Sequence, residues 1–326
     1  MKEMEIGWKK GTGVGILLVF LTALVSGVST FVNFWAAAGS NTDAFITVRN
    51  GLVALLLVPI VLLARQDVRT RLRRVDWARL ATIGLVGGAI PFLLFFRGIQ
   101  MSRDAAGLAG AATATFGYRT LFLMATALAV VYLKEKVSWR IAVAAGALLG
   151  GNVLLLSFSA PVWTDGTMYV LAATALWAGE YALSKRALRD LPGSTVALGR
   201  MGFGAVYLAG YVALTSQMGA VAALSGEQYR WMAVSAILLL AFVTTWYHGL
   251  KHVDLSVATA ALVLGFPITL GLEALAGRTS LGIGSAVGAA AIVFGVALAV
   301  GLVAIRDTFA STVRLILVGV RSARHR

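Results

Sequence analysis

Apolar residues run along this chain in continuous blocks of about 20 residues, broken by short polar stretches. The blocks fall near residues 13–38, 43–64, 78–101, 105–133, 139–158, 166–188, 194–217, 230–251, 254–276 and 282–305. At about 1.5 Å per residue, 20 helical residues span a hydrocarbon core of about 30 Å. A β-barrel would show shorter segments alternating between apolar and polar. The pattern predicts an all-α membrane protein of ten transmembrane helices, with the tightest turns at 101–105 and 251–254.

Composition agrees. Of 326 residues, 59% are hydrophobic and 13% charged, whereas a soluble domain is about half apolar and about a quarter charged. The first block is followed by "AAAGS", which looks like a cleavage site. It is too long for the 7–15 apolar residues of a signal peptide and reads as a first span. There is no cysteine, so disulfides and thiolate metal sites are excluded. The glycines of "GTGVGILLVF" follow no strand, which argues against a dinucleotide site. No His/Asp/Glu cluster has metal-ligand spacing and no nucleophile constellation appears, so neither cofactor, metal nor enzymatic activity is expected.

The net charge of +14 would suggest nucleic acid in a soluble protein. Here the charges lie between apolar blocks and report topology, so no nucleic-acid partner is expected. "RQDVRTRLRRVDWAR" carries six arginines, "KEKVSWR" and "SKRALRD" are basic, and the tail "RDTFASTVRLILVGVRSARHR" has five more arginines. "GSNTD" and "SFSAPVWTDG", on the other side, have none. The excess of Lys and Arg predicts both termini and the basic loops on the cytoplasmic side of the cell membrane. The tail also reads as a basic amphipathic helix on the inner leaflet.

The halves repeat. An offset of 151 residues superposes Gly15 on Gly166, Arg49 on Arg200, Gly51 on Gly202 and "FRGI" (96–99) on "YHGL" (247–250). After a slip of about nine residues, "KEKVSW" (134–139) matches "AGRTSL" (276–281). Small-xxx-small spacings follow, at Gly146 and Gly150 and at Gly284 and Gly288, the kind that let helices pack closely in lipid. Five spans per half is odd, so the halves cross in opposite senses, as an inverted repeat with a midplane site between them. The predicted division is 1–160, 161–305 and a basic tail, 306–326.

Three stretches resemble the drug/metabolite transporter superfamily, EamA type. "GTMYVLAATALWAGEYALSKRAL" with "STVALGR" resembles the start of a repeat. "TTWYHGLKHVDLSVATAALVLGFPITLGLEAL", with Pro267, resembles its third and fourth helices, and "YLKEKVSWRIAVAAGALLGGNVLLL" its end. The resemblance implies ten helices around a central cavity lined mainly by helices 1, 3, 4, 6, 8 and 9. It also implies movement of a small metabolite, amino-acid-like and often exported, by alternating access. A lipid-carrier translocator is the rival reading. The chain departs from the pattern at Ser26, which aligns with Trp177, at the proline-free fourth helix near "FGYRT", and at Gly277, which aligns with Glu135.

Charges inside spans are expensive and mark candidate sites. Arg119 and Glu180 lie at matching mid-depth, which suggests a mutual ion pair that is either structural or a binder of charged substrate. Trp177, Tyr181, Tyr118, Trp246 and Tyr247 are candidate aromatic walls, with Asn33 beside them. Glu273 is a candidate gate or proton site, His248 a titratable group, and Arg97 its aligned counterpart at the outer mouth. Lys251 reads as a topology charge, and Arg49 and Arg200 as anchors reaching helix carbonyls or head groups, with direct anion binding as the alternative. The expected partners are a small-molecule substrate, membrane lipids and coupling protons.

Overall fold

The computed structural model describes residues 11–36, 41–63, 72–155 and 161–301. The basic amino-terminal segment, much of the six-arginine loop and the carboxy-terminal tail lie outside the described residues. The elements are α1 (Thr12–Ala36), α2 (Thr42–Leu63), α3 (Arg74–Ile83), a π-helical turn (Gly84–Ala89), α4 (Ile90–Arg119), α5 (Leu121–Val131), α6 (Trp139–Leu155), α7 (Asp165–Ala187), α8 (Gly193–Leu214), α9 (Met218–Ala222), α10 (Gly226–His252), α11 (Leu255–Leu262), α12 (Gly265–Leu275) and α13 (Ile283–Val300). Among the described residues, eight spans are long and apolar enough to cross a membrane, and α6 is a shorter apolar helix. The 23-residue α7, which carries Asp165, Glu180, Lys185 and Arg186, completes ten.

Spans three and four run through α4. They part at Ala106 (φ −144°, ψ 24°) and Gly107 (φ 58°, ψ −143°), where a left-handed glycine turns the chain back. The turn falls slightly beyond 101–105. Spans eight and nine part between His252 and Leu255, as the short polar break predicts.

The inverted repeat is visible at two glycine crossings. Span one meets span eight where a Cβ on Gly15 would lie 3.2 Å from Gly249 O, and one on Gly249 3.1 Å from Gly15 O. Span three meets span six where a Cβ on Gly98 would lie 2.6 Å from Gly166 O, and one on Gly166 would strike Gly98 O. These are the same crossing, shifted by the offset that superposes Gly15 on Gly166. Each repeat's first helix therefore packs on the other repeat's third helix, so the two halves interlock.

Spans five and ten pair outside this core. The predicted Gly146 and Gly150 do not make the contact, because a Cβ on either would meet nothing within 4 Å. The face is one residue over. A Cβ on Gly151 would lie 2.7 Å from Gly288 O, and one on Gly288 2.7 Å from Gly151 O. Four-residue spacing is shared by every face of a glycine-rich helix, so spacing alone does not choose among them. Gly150→Ala and Gly151→Ala discriminate between the faces. The first is expected to leave the melting temperature in detergent unchanged or raised, since Ala outranks Gly in a helix. The second is expected to cost about 1–3 kcal/mol by overpacking.

Candidate substrate site

The centre of the molecule begins with a missing hydrogen-bond donor. In a regular helix the carbonyl of residue 87 would accept from the N–H of residue 91, but residue 91 is proline. The chain answers with the π-turn Gly84–Ala89, the kind of bulge that frees backbone carbonyls inside a helix. Those carbonyls find side chains. Gly87 O accepts from Trp177 Nε1 and Arg200 Nη2, each at 3.1 Å, and Gly88 O accepts from Asn50 Nδ2 at 3.1 Å. Both glycines are needed for the approach. A Cβ on Gly87 would occupy the place of the Glu180 side chain, and one on Gly88 would strike the Arg200 carbonyl.

Glu180 (0% exposed) and Arg200 (2%) form a buried ion pair, Oε2 to Nε 3.6 Å. Glu180 Oε1 accepts from the Tyr247 hydroxyl at 2.7 Å and from the Ser184 hydroxyl one turn along α7. The partner of Glu180 is thus Arg200 and not Arg119. Arg200 starts seven residues into α8 from the basic-loop face, which suggested an interfacial anchor. Its side chain turns inward instead, with Nη2 on the Gly87 carbonyl and the guanidinium at ion-pair distance from Glu180, while its Nε and Nη1 and Glu180 Oε2 are buried without hydrogen-bond partners.

Arg49 (2% exposed) is the symmetry mate of Arg200 and approaches the same ring from the other repeat. Its guanidinium carbon lies 5.0 Å from the Phe92 centroid, and that of Arg200 lies 5.9 Å away. Phe45 and Phe96 complete the box around Arg49 at 5.2 and 5.6 Å. Arg49 Nε and Nη2 both donate to Asn50 Oδ1 at 3.2 Å. No carboxylate lies within salt-bridge distance of it among the described residues. Both guanidiniums are buried, and Arg200 reaches a helix carbonyl, as one of the two expected anchor roles requires.

The predicted aromatic residues form two groups. Trp177 packs edge-on against Phe92 and Tyr118 and tilted against Phe95, and Tyr118 reaches Phe266 at 6.2 Å. Tyr181 lies 4.6 Å from Trp246, beside Tyr247 and its bond to Glu180. Trp246 Nε1 is buried with no acceptor. Arg119 stands over Phe266 at 4.8 Å, with its Nε and Nη1 buried and unpartnered and with Glu273 within electrostatic range.

The remaining candidates lie farther out. Asn33 accepts from Ser235 at 2.6 Å and ties span one to span eight. Arg97 joins Asp43 (3.7 Å) and Tyr211 (3.3 Å) near the face opposite the basic loops. His248 is half-buried, its Nδ1 2.7 Å from the Thr244 carbonyl, rather than a solvated helix end. Lys251 has a structural contact, donating to Leu191 O at 3.2 Å. Two clefts lie away from the centre: one of ≈ 280 Å³ beside Arg79, Tyr132 and Arg186, and an apolar one of ≈ 480 Å³ between Trp77, Leu198 and Phe203.

Several contributors were not foreseen: Asn50, Ser184, Phe92, Phe266, the Gly87–Gly88 carbonyls and the cap described next. "GLVGGAIP" and the i, i+4 pair Glu180/Ser184 are signals that could have found some of them. Glu135, between spans four and five, accepts from the Leu255 and Ser256 amides at 2.8 and 3.2 Å and from Ser256 Oγ at 2.8 Å. It caps span nine of the other repeat. Gly277 stands at the equivalent place with φ +69°, a conformation that suits glycine.

Two interlocked inverted repeats of five spans, with charged and aromatic side chains gathered mid-span, define the class of polytopic membrane transporters. The EamA-like transporter family model matches residues 13–157 and again 164–301. The chain belongs to that family, whose members are transporters rather than enzymes. No curated protein matches the chain. One solved crystal structure has the same fold, with a TM-score of 0.71 and 20% identity, covering 90% of this chain and 98% of that one.

Double-mutant cycles separate the observed pair from the expected one. Glu180→Gln and Arg200→Gln should each destabilise by about 3–5 kcal/mol, with the double variant costing clearly less than the sum. Glu180→Gln with Arg119→Gln should be additive within about 0.5 kcal/mol. Thermal denaturation of the purified protein reads both cycles, and coupling in the second would restore the Arg119–Glu180 pair.

Proposed function

We propose that the chain is a secondary transporter that exports a small polar or amphipathic, amino-acid-like metabolite across the cytoplasmic membrane by alternating access. One observation carries the reading. Arg119, Glu180, Tyr118, Trp177, Tyr181, Trp246 and Tyr247 gather mid-span where the two inverted repeats meet, with Nε and Nη1 of Arg119 buried and without acceptors. The aromatic rings supply apolar walls, and Arg119 supplies charge recognition. The repeats divide as 1–160 and 161–305, with 306–326 as a cytoplasmic tail. Glu180 is committed to Arg200, Tyr247 and Ser184, which leaves Glu273 as the better candidate for a coupling proton. Arg97 and His248 lie near opposite ends of the path, as gates.

Reconstitution in liposomes tests this. Saturable counterflow of at least one amino acid or related metabolite is expected, reduced by Arg119→Gln. Absence of counterflow across a broad metabolite panel, in protein with an intact thermal transition, would remove the transporter reading. Glu273→Gln is expected to lose accumulation driven by a pH gradient and to keep exchange at equilibrium. Retained uphill transport would move the coupling role elsewhere.

Topology has its own test in this cysteine-free chain. Lys136→Cys should react with an impermeant thiol reagent only after cells are opened, and Glu227→Cys in intact cells. The reverse pattern would invert the orientation.

A further inference from the structure

Four charged side chains lie deep within the described spans: Arg49, Arg119, Arg200 and Glu180. Glu180 and Arg200 neutralise each other. Arg49 is held by an amide oxygen and three aromatic rings. Arg119 has one ring and two buried nitrogens without acceptors, as Arg200 has, but unlike Arg200 it has no carboxylate at ion-pair distance among the described residues. Even if Glu273, two residues from the end of α12, is counted against Arg119, positive charge remains in excess. Excess charge in a low-dielectric interior is costly and favours an arriving counter-charge.

The backbone around Arg119 is broken. Span four is interrupted at Thr120 (φ −80°, ψ 0°), where Thr120 N and Oγ1 both donate to Gly117 O, and α5 starts at Leu121. Span nine is interrupted at Val263 and Leu264, where Pro267 cannot donate to Val263 O, and α12 starts at Gly265. These are equivalent helices of the two repeats, and Arg119 over Phe266 joins one break to the other. Each break sets the negative end of one half-helix against the positive end of the next, so the backbone adds no net charge there and the surplus rests on the side chains.

Building on the transporter reading, we infer that the substrate carries an anionic group, a carboxylate or its equivalent, that docks on Arg119 between the two interrupted helices, with its apolar part on Tyr118 and Phe266. Glu180 is already paired with Arg200, and Glu273, the other carboxylate near Arg119, stands at the end of α12 farther from the break. The site ranks anion above zwitterion and zwitterion above cation.

The test needs no knowledge of the substrate. In the cysteine-free chain, Phe266→Cys and, separately, Tyr118→Cys are treated in liposomes with anionic sulfonatoethyl and cationic trimethylammonioethyl methanethiosulfonate. Rates are normalised to a free thiol. The anionic reagent is expected to be favoured by about tenfold or more, as one nearby unit charge at intermediate dielectric implies. Adding Arg119→Gln should return the ratio toward that of the free thiol. A preference for the cation, a ratio unmoved by Arg119→Gln, or no reaction at either position would overturn the inference. Absent flux with an intact anionic preference would remove the transporter reading and leave the anion site standing.

Discussion

The structure depends on a carbonyl that proline leaves without a donor. Pro91 cannot bond Gly87 O, and the π-turn just before it offers that oxygen to Arg200 and Trp177. Arg200 is thereby held from two sides, by a backbone dipole and by Glu180. A buried ion pair alone is a weak source of stability, because desolvation offsets most of the attraction. What it supplies here is placement. Span three contributes the carbonyl, span six Glu180 and Trp177, span seven Arg200 and span eight Tyr247. Four helices from both repeats are thus registered to one point at mid-depth, and the glycines on span three let them come close enough to share it.

The repeat is symmetric in its backbone and asymmetric in its chemistry. The Gly15–Gly249 and Gly98–Gly166 crossings obey one offset. At the centre the equivalence fails. The position matching Glu180 is Ser29, and the position matching Asn50 is Met201. Arg49 therefore has no carboxylate waiting for it and lies in an aromatic box instead, where cation–π contacts of about 2 kcal/mol or more when desolvated replace part of the lost hydration. One repeat has become a closed electrostatic knot. The other keeps a charge met only by an amide and by ring faces. An inverted repeat whose halves were chemically identical would present the same groups to both sides of the membrane.

Much of the architecture was legible in the sequence, because lipid imposes a simple rule: every span must be apolar for about 20 residues. The two arginines at a constant offset exposed the repeat, since charged residues inside spans are too costly to recur by accident. Part of the central cluster was also legible, from Glu180 and the aromatic residues near it, while Asn50, Ser184, Phe92 and Phe266 were not. The pairing was not. Depth counted along a helix places Arg200 near an interface, while its side chain adds several ångströms in a direction that depends on the backbone around it. The choice between Gly150 and Gly151 failed for the same reason, since rotation about a helix axis is set by the neighbouring helix. Pro91 was the missing clue: a proline four residues after a glycine in "GGAIP" marks a free carbonyl, and a free carbonyl inside a membrane must be answered by a donor.

Polar contacts also stand near both ends of the spans. At the basic-loop end, Glu135 caps span nine through Leu255 and Ser256, and Lys185 donates to the carbonyls of Leu250 and Val253 at 2.7 Å. At the opposite end, Asp43 gathers Arg97, Tyr211 and Gln217. All of these are charge-assisted bonds at the level where water returns, so breaking one exchanges it for hydration at a modest net cost. The central pair has no such exchange available. Glu135 also links the end of interrupted span four to the start of interrupted span nine.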